Sequence, residues 1–270
     1  MKIAFIGGGN MAGALIGGLL RQGFAAADML AVEPLEDRRA QLAAAFGIAC
    51  LAQAEAAALD AGVLVLAVKP QQMREALAPL AGRLSGQLAI SIAAGLRLQD
   101  ISRWLSGHRR LVRAMPNTPA LIGAGISGLC ADPSVDAEGR RHAERVLGAV
   151  GKVLWIEDEA MMDAVTAVSG SGPAYVFHFI EALRDAARAL GFGEAQAATL
   201  AIETVAGAAA LAAASHEDVA ELRRRVTSKG GTTEAALDSL AADGFRDVIL
   251  RAVRAAEARG RALGAAKDGG

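Results

Sequence analysis

Cysteine and histidine are scarce in this sequence of 270 residues. The two cysteines, Cys50 and Cys130, lie far apart, each in an apolar stretch, which excludes a disulfide framework and a cysteine metal site. Such cysteine usage favours a reducing, cytoplasmic compartment. The four histidines lack the short spacings that bind zinc, so we expect no metal.

A charge excess is missing as well. The chain has 28 basic and 29 acidic side chains, for a formal net charge of -1, and 53% of its residues are apolar. A dedicated nucleic-acid binder would need excess basic charge to neutralise phosphates, and a disordered chain would need low hydrophobicity and high net charge. Both classes are excluded, and the length suits one large domain or two of ordinary size.

Long apolar runs are few. The first 20 residues look apolar enough for a signal peptide, but the GGGN segment at 7–10 interrupts the run before it reaches the length that an export segment or a membrane span needs. The alanine-rich stretch 195–214 is interrupted by polar residues, among them Glu203. We therefore expect a soluble, intracellular protein without a membrane partner.

Residues 1–157 alternate short apolar runs with helical patterns, which predicts an α/β fold for this part of the chain. Runs typical of buried strands occupy residues 2–6, 30–33, 63–68, 88–92 and 111–115, and helical patterns at 11–22, 35–46 and 71–80 separate the first four. Apolar strands in this order are typical of a doubly wound, mainly parallel sheet with helices on both faces. Two further strands, at 125–131 and 152–156, would extend the sheet at its far edge, around a helix at 136–147.

Residues 158–270 contain only helical patterns, which predicts a second, all-helical domain. We expect one helix at 158–168, a break at 170–173, and a next helix with Pro173 in its first turn. The stretch 195–214 is apolar nearly all round, and a helix without a polar face must be buried on every side. A helical domain of this size can hardly achieve that within one subunit, so we expect a homodimer.

The strongest local motif is Gly7-Gly8-Gly9-Asn10-Met11-Ala12, a G-x-G-x-x-A sequence between the first strand and the first helix. The first glycine permits a tight turn, the second lets the backbone approach a pyrophosphate, and the small alanine lets helix and strand pack closely. The helix N-terminus would hold the anion. Because an acid, Glu33, ends the second strand, the motif predicts a dinucleotide site rather than a glycine-rich turn.

The same region leaves the choice of nucleotide open. Glu33 could accept hydrogen bonds from a ribose 2′-hydroxyl and favour NAD, whereas Arg38 and Arg39 could bind the 2′-phosphate of NADP. All three side chains could also form local ion pairs at a solvated helix start. NAD and NADP both remain candidates.

Two loops that follow later strands would lie at the carboxyl edge of the sheet, where ligands bind. Lys69, in Val68-Lys69-Pro70, directly follows an apolar strand and would meet either the cofactor or a backbone cap. Prolines flank Asn117-Thr118, and they either stiffen a binding loop or merely end strands.

The segment 226–233 (VTSKGGTT) lies between two predicted helices. Its hydroxyls, its two glycines and the following helix N-terminus would form an anion nest suited to a carboxylate, although a helix–helix turn with an N-cap threonine explains the same residues. Between residues 157 and 225 there is no lysine, and histidine occurs only as His178 and His216. A hydroxy-acid dehydrogenase needs a base, whereas a cyclic imine accepts hydride with only a hydroxyl donor near its nitrogen.

Six segments, in order along the chain, resemble those of the pyrroline-5-carboxylate reductase family: FIGGGNMA at 5–12, AVKPQ at 67–71, SIAAG at 91–95, MPNTP at 115–119, SGSGPAY at 169–175 and VTSKGGTT at 226–233. The resemblance spans nearly the whole chain. It implies NADPH- or NADH-dependent reduction of 1-pyrroline-5-carboxylate to L-proline, the last step of proline synthesis. It also implies a Rossmann domain followed by a helical domain that interleaves with a partner subunit, in a homodimer or a higher assembly of dimers.

The resemblance also implies roles for individual residues. Together with Glu33, the cofactor-contacting positions are Gly7, Gly8, Gly9, Asn10, Met11, Ala12, Val68, Lys69, Pro70, Ala93, Ala94, Gly95 and Asn117. The substrate carboxylate would bind Ser228, Lys229, Gly230, Gly231, Thr232 and Thr233. Thr233 matches a threonine that assists protonation of the ring nitrogen and is the expected catalytic residue. Lys229 stands where proline is common in the family, and it either adds a positive charge beside the carboxylate or points to solvent.

Two other classes fit part of the sequence. A β-hydroxyacid dehydrogenase shares the two-domain plan but needs a lysine on a substrate-domain helix, and none occurs between residues 157 and 225. A non-catalytic nucleotide sensor would bind the dinucleotide and signal through its dimer interface. Such a sensor would not need the second small-anion site at 227–233.

Overall fold

The computed structural model describes residues 1–54 and 56–265, which begin with a sheet and continue with helices. The strands are β1 (Ile3–Ile6), β2 (Met29–Val32), β3 (Ala49–Leu51), β4 (Val63–Leu66), β5 (Leu88–Ser91), β6 (Leu111–Met115), β7 (Gly125–Ala131) and β8 (Gly151–Trp155). Within the described residues they form one sheet in the order β3-β2-β1-β4-β5-β6-β7-β8. Every neighbouring pair is parallel except β6 and β7.

The α-helices of this region are α1 (Asn10–Arg21), α2 (Glu36–Phe46), α3 (Ala56–Leu59), α4 (Met73–Leu77), α5 (Leu98–Trp104), α6 (Ala137–Leu147) and α7 (Met162–Val165). The core has two apolar layers because alternate residues of each strand face opposite sides of the sheet. In β1, Ile3 and Phe5 pack with Leu15 of α1, whereas Ala4 and Ile6 belong to the layer that contains Leu77 of α4. Both faces of the sheet are covered, so the predicted doubly wound α/β fold is confirmed.

The remaining helices are α8 (Gly172–Ala189), α9 (Glu194–Ala214), α10 (Val219–Arg225), α11 (Thr232–Ala242) and α12 (Phe245–Ala265). The described residues form two compact units, the first within 1–171 and 256–265 and the second comprising residues 172–255. The pattern of strands and helices gives way to helices alone after Trp155, near the boundary predicted at 157–158. That boundary marks a change of secondary structure, whereas the compact unit continues to Ser171.

Helix α9 is the apolar stretch that the sequence singled out. Within the single chain only Ala197 and Ala201 of this helix are buried, and large side chains such as Leu200 and Leu211 are exposed. In the described part of the chain α9 alone has the length and composition of a membrane span. One such helix is weak evidence for a membrane, because a helix that is covered by other protein has the same composition.

The sequence patterns missed some elements and misjudged others. The short elements β3, α3 and α5 were not predicted. The helix expected at 158–168 is a succession of a 3₁₀ turn (Glu159–Met161), α7 and a π-helical turn (Thr166–Gly170). The break expected at 170–173 is confined to Ser171, and Pro173 lies in the first turn of α8 as predicted. The helix expected at 71–80 is divided into a 3₁₀ turn, α4 and a second 3₁₀ turn that contains Pro79.

Candidate active site

The glycine motif joins β1 to α1 in a turn that depends on two of its glycines, Gly7 and Gly8. Gly7 has a φ of +103°, and a Cβ added there would lie 2.8 Å from the carbonyl oxygen of Ala67. A Cβ at Gly8 would lie 2.5 Å from Leu42 Cδ1. Beside Gly9 a Cβ would meet nothing within 4 Å, so this glycine borders open space.

The N-terminus of α1 fits an anion. Gly9 is its N-cap, no side chain caps the helix, and its first turn contains no acidic residue. The partial positive charge of a 12-residue helix is therefore not neutralised by a side chain of the cap or first turn. A cavity of about 420 Å³ adjoins this point and is lined in part by Gly8, Gly9 and Asn10. These features suit the pyrophosphate of a dinucleotide. Met11 and Ala12 continue the helix, and Ala12 is fully buried in the core.

Glu33 braces the glycine turn. It is 7% exposed, its Oε2 accepts the N–H of Gly8 at 3.0 Å, and its Oε1 accepts the N–H of Leu35 at 3.1 Å. A carboxylate has about four acceptor positions, so capacity for a ribose hydroxyl remains. The brace itself was not foreseen from the sequence.

The arginines that follow Glu33 differ in their partners. Arg39 Nη1 donates to the carbonyl oxygens of Glu33 and Pro34, at 2.9 and 2.7 Å. Arg38 lines a second cavity, of about 650 Å³, together with Asn10, Leu35, Glu36, Asp37 and Gln41. Two acidic side chains and one basic side chain line this cavity. These charges do not distinguish a ribose 2′-hydroxyl from a 2′-phosphate, so both NAD and NADP fit.

The other predicted cofactor loops follow β4, β5 and β6, which lie in succession beside β1. Val68, Lys69 and Pro70 follow β4, and the exposed Lys69 is the N-cap of a 3₁₀ turn. Its side chain caps nothing in that turn. Because β1, β4, β5 and β6 are adjacent and parallel, the loops after them share one edge of the sheet.

The loop after β5 contains Ala93, Ala94 and Gly95. Ser91 Oγ accepts the N–H of Ala93 at 3.3 Å, and Gly95 has a φ of +73°. A Cβ added at Gly264, near the end of α12, would lie 3.3 Å from the carbonyl oxygen of Gly95. The end of α12 therefore packs against this loop.

Asn117 follows β6, and both the oxygen and the nitrogen of its side-chain amide are hydrogen-bonded to the main chain. Its Oδ1 accepts the N–H of Ile126 at 2.9 Å, and its Nδ2 donates to the carbonyl oxygen of Ser169 at 3.1 Å. In an α-helix that carbonyl would accept from the residue four positions on, which is Pro173 and has no N–H. Asn117 supplies the missing donor to the π-helical turn, so its side chain fixes the loop in place.

The predicted substrate loop lies in the second unit, between α10 and α11. Gly231 is the N-cap of α11 without a side-chain cap, and Gly230 has a φ of +73°. The N–H of Gly230 donates to Glu234 Oε2 at 2.6 Å, a contact that the sequence did not predict. Thr233 lies half-buried in the first turn of α11. Ser228, Lys229 and Thr232 are exposed.

Nucleophilic cysteine chemistry is not supported by the environment of either thiol. Burial raises the pKa of Cys50 and of Cys130, which disfavours the reactive thiolate. Across residues 1–54 and 56–265, no group of three or more His, Cys, Asp or Glu side chains is arranged to hold a metal ion.

Sequence reasoning missed three buried charged residues of the first unit, namely Asp100, Arg113 and Asp163. Arg113 of β6 is 4% exposed and contacts Glu159 and Asp163, which follow the last strand along the chain. The signal was present, since a single arginine interrupts the apolar strand LVRAM.

The mainly parallel sheet, the uncapped helix start after a glycine turn and the helical region that follows define a dinucleotide-dependent oxidoreductase. Residues 159–263 match the family described as "Pyrroline-5-carboxylate reductase dimerisation", and residues 2–95 match that described as "NADP oxidoreductase coenzyme F420-dependent". The pyrroline-5-carboxylate reductase of Pseudomonas aeruginosa is 48% identical over 97% of this chain and 96% of its own.

Solved structures agree with that similarity. The pyrroline-5-carboxylate reductase of Coxiella burnetii has a TM-score of 0.93 and 39% identity, covering 97% of this chain and 98% of that one. A Plasmodium falciparum pyrroline carboxylate reductase with NADP bound has a TM-score of 0.85 and 29% identity, covering 98% of each chain. The chain belongs to the pyrroline-5-carboxylate reductase family, as predicted, and the dimerisation match shows that it self-associates.

Proposed function

We propose that the protein reduces 1-pyrroline-5-carboxylate to L-proline, with NADPH or NADH as the hydride donor. The observation that carries the proposal is the similarity to named reductases over the full length of the chain, at 48% identity for the Pseudomonas aeruginosa enzyme. The geometry supports it, because the loops after four adjacent parallel strands share the edge at which α1 begins without a side-chain cap.

The dinucleotide would bind along this edge. Main-chain amides at Gly9 and Asn10 would hold its pyrophosphate, and the loops at 68–70, 93–95 and 117 would hold the rest of the molecule. When bound, the reduced dinucleotide supplies a hydride. The chain's own part is to orient the cofactor and to exclude water from it.

The substrate carboxylate would bind to the loop 228–233. Since Glu234 already holds the amide of Gly230, we expect the free hydroxyls and amides at the start of α11 to bind this group. The exposed ammonium of Lys229 would strengthen the attraction without directional requirements.

The reaction needs one proton at nitrogen and one hydride at carbon. A new C–H bond forms at the imine carbon, the electron pair of the C=N π bond moves to nitrogen, and nitrogen is left as the amine of proline. We propose that the hydroxyl of Thr233 donates a hydrogen bond to the lone pair of the neutral imine nitrogen and relays a proton from solvent to it as the hydride arrives. A strong general base is not required, which agrees with the scarcity of lysine and histidine between residues 157 and 225.

We further propose that the self-association is a homodimer, or an assembly of dimers, acting in the cytoplasm. Apolar side chains of α8, α9 and α12 are exposed in the single chain, among them Phe177, Phe179, Leu200, Ile202, Val248 and Ile249. A partner subunit would bury such a surface. The two free cysteines fit a reducing compartment.

The test is steady-state turnover of the purified protein with 1-pyrroline-5-carboxylate and either nicotinamide, followed by loss of absorbance of the reduced dinucleotide. We expect consumption that depends on the imine, and comparison of kcat/KM for NADPH and NADH identifies the preferred donor. Absence of turnover with both donors would contradict the proposal. Calorimetry distinguishes the sensor alternative, because a sensor binds the dinucleotide but not proline.

A further inference from the structure

Three charged side chains meet beside the middle of β6, outside the reaction described above. The guanidinium of Arg113 reaches Glu159 Oε1 at 3.3 Å through Nη1 and Asp163 Oδ1 at 3.1 Å through Nη2. The side chains of Arg113 and Asp163 are 4% and 9% exposed. Ions so deeply buried are tolerated only when they are paired and hydrogen-bonded. Replacing such a pair by apolar residues is often neutral or stabilising, so stability alone does not explain it.

One arm of the cluster reaches the loop after β5. Glu159 Oε1, besides its contact with Arg113, accepts the N–H of Leu98 at 2.8 Å. Leu98 begins α5, and the residue before it provides no side-chain cap. Glu159 therefore caps α5 from a distant part of the chain. The capped residue, Leu98, lies three positions after Gly95 of the loop 93–95.

The other arm reaches the loop after β6. Asp163 lies in α7, which runs directly into the π-helical turn Thr166–Gly170. The carbonyl oxygen of Ser169 in that turn accepts a hydrogen bond from Asn117, two positions beyond β6. Turns of this rare type occur frequently at functional sites.

We propose that Arg113, Glu159 and Asp163 form a positioning cluster that fixes the loops at 93–95 and 117 relative to one another, so that together they bind the dinucleotide. The inference rests on the proposed function only in requiring that a dinucleotide binds at this edge. The cluster does not touch the reacting atoms. It acts through the cap on α5 and through the hydrogen bond between Asn117 and Ser169.

The experiment uses Glu159, because two substitutions separate its roles. Glu159→Gln keeps an oxygen that can cap Leu98, whereas Glu159→Met has a similar length and no acceptor of comparable strength. Arg109→Met is the matched control, since it breaks the ion pair with Asp132 just before β6 begins, where Arg109 is exposed. For each full-length protein we would measure the Kd for NADPH and NADH by calorimetry, the Tm, and kcat and KM for the imine.

We expect Glu159→Met to weaken dinucleotide binding about tenfold while Glu159→Gln stays within about threefold of the wild type, because small displacements of binding groups have effects of this order. The KM for the imine should change less than the Kd for the dinucleotide. Arg109→Met should bind the dinucleotide as the wild type does. A lowered Tm with an unchanged Kd in Glu159→Met would overturn the proposal and leave the cluster a purely structural role.

A second variant covers the case in which Glu159→Met fails to fold. Arg113→Lys keeps the charge, but one ammonium cannot reproduce the two-pronged contact with both carboxylates. We expect a weakening of about threefold in the dinucleotide Kd, and a Kd equal to that of the wild type would also overturn the proposal. A wild-type protein that binds dinucleotide but does not reduce the imine would overturn the proposed function alone.

Discussion

The carboxylate of Glu33 accepts the main-chain N–H of Gly8 at 3.0 Å, and this contact joins the end of β2 to the turn after β1. The other carboxylate oxygen accepts the N–H of Leu35. The residue expected to recognise a ribose is thus first a brace for the glycine turn. Any hydrogen bond to a ribose hydroxyl would use the lone pairs that these amides leave free.

Removal of this brace should cost both stability and affinity. Glu33→Ala leaves two amides without their acceptor, and we expect a loss of about 1–3 kcal/mol in the free energy of unfolding together with weaker dinucleotide binding. Glu33→Gln keeps one good acceptor oxygen and should lose less. Urea denaturation and calorimetry measure the two effects, and equal stability of the alanine variant and the wild type would argue against the brace.

The two outer glycines of the motif should respond differently to the same change. Gly7→Ala places a methyl group 2.8 Å from the carbonyl oxygen of Ala67 at a φ of +103°, so we expect a loss of at least about 1–3 kcal/mol of stability. Gly9→Ala meets nothing within 4 Å and should leave the Tm nearly unchanged. Its methyl group borders the helix start, so it should weaken dinucleotide binding. A Gly9→Ala protein that binds as the wild type does would place the pyrophosphate elsewhere.

Loss of the Thr233 hydroxyl should affect turnover rather than cofactor binding. We expect Thr233→Val, which preserves the side-chain shape, to lower kcat about 100-fold, the lower limit for a positioned proton donor. The Kd for the dinucleotide should not change. Thr233→Ser restores the hydroxyl and should recover most of the kcat. If the valine variant keeps full kcat, Thr233 has no part in protonation.

His108 should make stability depend on pH. Burial lowers the pKa of its imidazole below the ordinary value, although its hydrogen bonds to main-chain carbonyls, including that of Gln87, oppose the shift. The unfolded chain then binds a proton more readily than the folded one, so the stabilising difference is present above the unfolded pKa and is lost as the pH falls through it toward the folded value. We expect the free energy of unfolding to decrease between pH 8 and about pH 5.5. A His108→Gln variant should show a smaller decrease over that range, and an identical decrease would assign the effect to other groups.

The apolar helix α9 should control assembly. Leu200→Glu places a charge on a helix with no charged face, and a charge buried in an interface is costly, so we expect the dimer to dissociate to monomers. Leu35→Glu, at an exposed apolar residue of the first unit, is the control and should remain dimeric. Light scattering after size-exclusion chromatography gives the mass, and a dimeric Leu200→Glu protein would place the interface on other helices.

The elements of the sheet were predictable where the local pattern was strong. The bounds of β6 and β7 agree with the strands predicted at 111–115 and 125–131, because strands that are covered on both faces are rich in apolar residues. The missed elements β3, α3 and α5 are three, four and seven residues long. Elements this short depend on tertiary contacts more than on their own propensity.

Local sequence patterns predicted the longer strands and helices of the sheet region, the glycine turn before α1 and the family to which the chain belongs, since each depends on neighbouring residues. The side chains that act as braces could be identified only from the folded structure. The most distant partners of Glu33 and Asn117 are 25 and 52 positions away along the chain, and the two partners of Arg113 are 46 and 50 positions away. A local pattern contains no information on pairs so distant, because they meet only when the sheet has brought its loops to one edge.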